Sequence, residues 1–136
     1  MALDHITLFP ALILGIIIGL IELFFIHADQ NFRGSHWIGH AFHAILFSFI
    51  FIFISMNVDF ALGLVNLSFA YQDIVVRGLV AVVAFIKISS AAAGAGKIVR
   101  EKIVHIIVVV ALITAAPFLW DFLQPVCEGL IDKAFC

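Results

Sequence analysis

The sequence has few charged residues and lacks several motifs that would point to a chemistry. Only 12% of its 136 residues are Asp, Glu, Lys or Arg, against about 25% in an average soluble domain, and the formal net charge is −2. Lys and Arg form no run of four or more, which excludes nucleic acid as a partner class. The two cysteines are not a Cys-x-x-Cys pair, which excludes a thioredoxin-like or quinone-linked redox motif.

What the chain has in abundance is apolar residues. They make up 65% of the sequence, and the mean hydropathy is +1.24. A spanning helix needs about 20 apolar residues, so a chain of this length has room for four spans and little else. We therefore expect an all-α integral membrane protein of the plasma or cytoplasmic membrane, whose first partner is the lipid bilayer.

The apolar runs predict one transmembrane domain, residues 1–136, folded as a four-helix transmembrane bundle. We expect spans at about 6–26, 35–56, 74–94 and 103–123, a short tail at 124–136, and a kink near the end of the fourth span at Pro117. The first run should be a retained helix rather than a signal peptide, because no Lys or Arg precedes it and Glu22 interrupts it. Residues 58–72 are too apolar for a free loop and too few to span, and predict an interfacial segment or an extension of the second span that bends back against the bundle.

The basic residues predict the orientation of these spans. The first and third connections share one side and carry four basic residues: Arg33, Lys97, Arg100 and Lys102. Lys and Arg accumulate on the cytoplasmic side, so both termini should lie on the non-cytoplasmic side. Cys127 and Cys136 then fall in an oxidising compartment, which predicts a disulfide between them; the alternative is two reduced thiols in a small amphipathic tail helix.

A stripe of histidines opens the second span. On a helix, His40 lies about 40° to one side of His36 and His43 about 20° to the other, so the three imidazoles share a face. Imidazoles one turn apart can hold zinc or copper. The topology brings further candidate ligands to the same end of the bundle: Glu22, His27, Asp29 and His105. The His-Glu-x-x-His motif of metalloproteases is lacking.

Glu22 and Lys87 are charged residues inside spans, where each needs a partner. Both lie on helix faces rich in small residues, which favours close packing toward the interior, and Gly15-x-x-x-Gly19 on the first span is a packing signal of this kind. We therefore predict a Glu22–Lys87 ion pair, whose alternative role is only to fix the register of the helices.

These residues leave several function classes open. The interpretation we favour is a non-catalytic or accessory subunit of a larger membrane complex, or a homo-oligomer, carrying a metal at the His/Glu cluster. One alternative is a small oligomeric ion or proton channel or transporter, and another is a haem b-binding electron-transfer subunit with His105 as one axial ligand. Some histidines, His36 above all, are also typical of an ordinary membrane interface. Catalysis by the chain alone comes last, because no nucleophile with its base is recognisable.

Overall fold

The computed structural model describes residues 6–28, 37–94 and 100–130, and describes the side chains of residues 6–25, 41–90 and 103–130. Within these ranges the chain forms helices and no strand, which confirms the all-α prediction there. The six helices are α1 (Leu8–Ala28), α2 (Trp37–Met56), α3 (Val58–Leu64), α4 (Gln72–Gly94), α5 (Arg100–Thr114) and α6 (Ala116–Leu130).

Among the described residues, one helix is by itself long and apolar enough to cross a membrane, over Leu8–Phe25 of α1. The number rises to three if two bent pairs each count as one span, α2 with α3 and α5 with α6. Helix α4 carries three charged side chains, Asp73, Arg77 and Lys87. Because α5 and α6 are one of the bent pairs, the fourth predicted span is not one straight helix. Its second half continues to Leu130 as a separate helix, α6.

The bend between α5 and α6 measures 65°, and it has a local cause. Pro117 has no backbone N–H, so the carbonyl of Ile113 loses its donor four residues on. The hydroxyl of Thr114 donates to the carbonyl oxygens of Val110 and Ala111, each at 3.0 Å, in the last turn of α5. The kink predicted at Pro117 is thus confirmed.

Helix α3 turns by 93° from α2 and ends in a hydrogen-bonded cap. Leu67 N–H donates to the Leu62 carbonyl, and Asn66 N–H donates to the Gly63 carbonyl. This pair of bonds is a Schellman cap, with Asn66 in the left-handed conformation (φ 54°) that such a cap requires. The predicted interfacial segment thus contains a short helix that runs across the end of α2.

Contacts between helices show how the long ones are directed. Thr7 meets Asn57, while Gly19 lies against Ile45, so α1 and α2 are antiparallel. Side-chain contacts from α4 to α2 follow the same antiparallel order. We name the end that holds His43 and His105 the histidine end, and the opposite end the asparagine end, after Asn57. The core between them is apolar, and its most buried members include Leu14, Ile18, Ile52, Val109 and Ile113.

Candidate functional site

The candidate site is built on the interface between α1 and α2. The glycines of the Gly15-x-x-x-Gly19 signal face the α2 backbone: a Cβ added to Gly15 would lie 2.8 Å from Phe49 Cα, and one added to Gly19 would lie 2.6 Å from Ile45 Cα. Real Cβ atoms do not approach backbone this closely, so only glycine permits the contact. The packing signal therefore serves the interior of this chain.

Glu22 continues this buried face of α1, and its side chain is 9% exposed. Its Oε2 accepts a hydrogen bond of 3.1 Å from the hydroxyl of Ser48, which is 1% exposed. Side chains tilt toward the N-terminus of their own helix, and these helices are antiparallel, so the two groups lean toward each other. An acidic group is thereby held between two helices by one neutral donor from the neighbouring helix.

Lys87 lies on another side of α2. Its side chain is exposed, and Nζ sits 4.4 Å from the centroid of the Phe47 ring, a cation–π contact. Phe47 and Ser48 are consecutive, so on a helix they point about 100° apart. Among the described side chains, Glu22 and Lys87 thus have different partners on α2, and the predicted ion pair between them is not seen.

The two described histidines of the predicted cluster stack on aromatic rings. His43 is exposed and lies 6.1 Å, between ring centroids, from Phe47. The ring of His105 on α5 lies 4.4 Å from that of Phe25 on α1, with only 6° between their planes. A row of contacts therefore runs from Lys87 over Phe47 to His43. His105 packs on Phe25 and so joins α5 to α1.

The metal prediction rests partly on side chains outside the described set, those of His27, His36 and His40. Among the side chains that are described, no group of three His, Cys, Asp or Glu residues is placed to hold a metal ion. Glu22, His43 and His105 come from three helices and have the separate contacts given above. A zinc or copper site would need the histidines at the start of α2, and it stays a prediction.

A second polar cluster, at the asparagine end, was not predicted from the sequence. Asn57, 5% exposed, accepts hydrogen bonds at Oδ1 from the backbone N–H of Thr7 (2.7 Å) and from its hydroxyl (3.1 Å). Its amide Nδ2 donates to the Phe53 carbonyl at 2.9 Å. The side chain thus joins the end of α2 to the start of α1. The sequence signal for this cluster is an Asn directly after an apolar run, but that pattern is equally typical of a loop residue.

Arg77 of α4 also lies at the asparagine end, where it contacts α2 and α6 and so links three helices. From α4 its Nε donates to the Ser55 carbonyl of α2 at 3.2 Å, and its guanidinium lies 5.9 Å from the ring centroid of Phe118 on α6. The Ser55 hydroxyl is fully buried and has no hydrogen-bond partner among the described residues. The basic residue near the start of the third predicted span is therefore a structural link.

The predicted disulfide concerns Cys127 and Cys136. Cys127 is on α6, 9% exposed, in the face that packs on the other helices. Cys136 lies outside the described residues, so the pairing stays a prediction.

Comparison of the chain with protein-family models, curated proteins and solved structures finds no match.

Proposed function

We propose that the chain is an integral membrane protein, a four-helix transmembrane bundle with both termini on the non-cytoplasmic side. Apolar side chains exposed along the helices support this. On α1 they recur at every fourth position, Leu8, Leu12, Ile16, Leu20 and Phe24, each at least 42% exposed. A stripe of this length is unfavourable in water and suited to lipid or to a partner helix.

We propose further that it acts as a non-catalytic, accessory subunit of a larger membrane complex. The observation that supports this is the contact made by Glu22, which is the one buried acidic side chain among the described residues. It is hydrogen-bonded to Ser48 within the α1–α2 pair, whose close packing depends on glycine. A carboxyl placed this way fixes two helices against each other. The exposed apolar faces leave ample surface for other membrane subunits.

The metal belongs to this proposal at the histidine end. His40 and His43 would be the central ligands, because they lie deepest in the second predicted span, with His36, His27, Glu22 or His105 completing the shell. Zinc or copper would there tie α2 to its neighbours, a structural role that needs no catalytic group.

The test is a native purification with elemental analysis on the same sample. We expect the tagged chain to elute in a complex of defined mass containing larger membrane proteins, with near-stoichiometric zinc or copper. The double variant His40→Ala, His43→Ala should lose the metal, whereas His5→Ala, at the predicted opposite end, should keep it. A folded, metal-free chain would refute the metal site, and a chain that is always alone in detergent would refute the accessory role.

A further inference from the structure

We infer that α6 is a slanted interfacial helix, which inserts its phenylalanine side into the acyl chains of a neutral lipid leaflet. The inference rests on the membrane location proposed above. It is drawn from the distribution of side chains around α6, from the angle at which α6 leaves α5, and from the charges it carries.

Three different surfaces run along α6. One is buried against the other helices and contains Ala116, Trp120 and Cys127. A second is polar, with Asp121, Gln124 and Glu128, about 90° around the helix from the first. The third is apolar and exposed, and its members are Phe118 (66%), Phe122 (79%), Val126 (57%) and Leu130 (80%).

The polar and the exposed apolar surfaces lie roughly 130–150° apart around the helix axis. A helix surrounded by lipid would not carry the exposed Asp121 and the half-buried Glu128 on one side, and a helix in water would not expose both Phe118 and Phe122. A helix at the edge of a bundle and at the boundary of a membrane needs all three surfaces. The amide of Gln124 donates to Glu128 at 2.9 Å, which keeps the polar groups together on the side assigned to water.

The angle between α5 and α6 sets the depth of α6 in the lipid leaflet. The 15 residues of α5 rise about 22 Å, short of the hydrocarbon thickness of about 30 Å. With α5 along the membrane normal, the 65° bend lets the 15 residues of α6 add about 9 Å in that direction. The first turn of α6, which contains Phe118, therefore lies inside the leaflet, and the helix rises to the surface of the leaflet toward Leu130.

Charge selects the kind of lipid. Residues 116–130 contain Asp121 and Glu128 and no Lys or Arg. The helix itself gains nothing from an anionic headgroup, since that attraction needs basic residues on its polar side. The guanidinium of Arg77, which contacts Phe118 from α4, donates to the Ser55 carbonyl within the bundle. A zwitterionic leaflet is thus the partner that the surface fits.

The experiment places one tryptophan at a time in a background without native tryptophan, Trp37→Phe with Trp120→Phe, reconstituted in phosphatidylcholine vesicles. Phe122→Trp should be strongly quenched by lipids brominated in their acyl chains and weakly by aqueous iodide. Asp121→Trp, the adjacent residue, should show the reverse. Phe118→Trp should be quenched by bromines nearer the bilayer centre than those that quench Val126→Trp.

Leu79→Trp on α4, whose native side chain is 60% exposed, separates the two proposals. If bromolipids fail to quench it, the membrane location itself is wrong. If they quench it while iodide quenches Phe122→Trp as strongly as Asp121→Trp, only the inference about α6 is overturned. Exchanging part of the phosphatidylcholine for phosphatidylglycerol should leave the depths unchanged, and deeper insertion would overturn the assignment to a neutral leaflet.

Replacement of the buried Trp120 can disturb folding, so a second measurement uses the native tryptophans. A photoreactive benzoylphenylalanine at position 122 should crosslink to lipid, and one at position 121 should not. Equal lipid crosslinking at both positions would refute the orientation of α6.

Discussion

Glu22 is the residue at which charge and burial conflict most directly. Among the described residues its carboxyl accepts one hydrogen bond, from Ser48, in an interface that glycine lets pack closely. Removing that donor leaves a buried acceptor unsatisfied, whereas removing the charge does not. The two substitutions should therefore have opposite consequences.

We expect Ser48→Ala to lower the free energy of unfolding by about 1–3 kcal/mol, because the carboxyl then loses its donor among the described residues. Glu22→Gln should be neutral or stabilising, since the amide oxygen still accepts from Ser48. Ser48→Ala should also cost less in the Glu22→Gln background. The four proteins form a double-mutant cycle that denaturant unfolding in detergent micelles can measure.

The matched control is Ser90→Ala, because that hydroxyl is exposed and, within the part of the chain that the structure describes, bonds only to the carbonyl of Lys87 in its own helix. Its effect should be small. If Ser48→Ala proved equally mild, the bond to Glu22 would have no part in stability.

At this scale the sequence predicts that Glu22 and Lys87 need partners, but it does not predict the contacts with Ser48 and Phe47. That Glu22 must be satisfied inside a span follows from the energetics of buried charge alone. Its partner depends on the rotation of α2, which places Ser48 toward α1 and Phe47 toward Lys87. Apolar residues occur on several sides of this Phe-rich helix, so its sequence does not reveal that rotation.

The α1–α2 pair is the element-scale feature with the tightest packing. We predict that Gly19→Ala lowers the free energy of unfolding by about 1–3 kcal/mol, because the new methyl meets the backbone at Ile45 rather than a movable side chain. Gly15→Ala should act in the same direction. The measurement is again denaturant unfolding in micelles.

Gly78 on α4 supplies the control, since a Cβ there would have nothing within 4 Å. Gly78→Ala should be neutral or raise stability by about 0.5–1 kcal/mol through the lower backbone entropy of the unfolded chain. Similar effects at positions 19 and 78 would contradict close packing of α1 on α2.

Elements were easier to predict than their ends. Long apolar runs and Pro117 carry strong local signals, and helices and a bend occur where those signals lie. The predicted fourth span stopped at residue 123, yet α6 continues to Leu130. Beyond Asp121 the apolar residues of α6 are interrupted by Gln124 and Glu128, and a search for uninterrupted apolar runs ends at such a pattern.

For the molecule as a whole, the proposed membrane location implies an orientation, and the basic residues predict it. Arg33, Lys97, Arg100 and Lys102 in two connections predict cytoplasmic exposure of those connections. Alkaline phosphatase fused after residue 136 should therefore be active in a bacterial host, and the same enzyme inserted within residues 95–99 should be inactive.

A green fluorescent protein at the same two positions is the complementary control, because it fluoresces when it folds in the cytoplasm. It should be dark after residue 136 and bright within residues 95–99. The reverse pattern for both reporters would invert the bundle and place Cys127 and Cys136 in a reducing compartment.

The Thr7–Asn57 contact also bears on how the protein is made. It joins α1 to α2, and both helices precede every residue of α4, α5 and α6 in the chain. Chains fold from the N-terminus during translation, so in the membrane location proposed above α1 and α2 can pair before the later helices have left the ribosome. Glu22 would then cross the insertion machinery already covered by Ser48, and the later helices would assemble on a finished template.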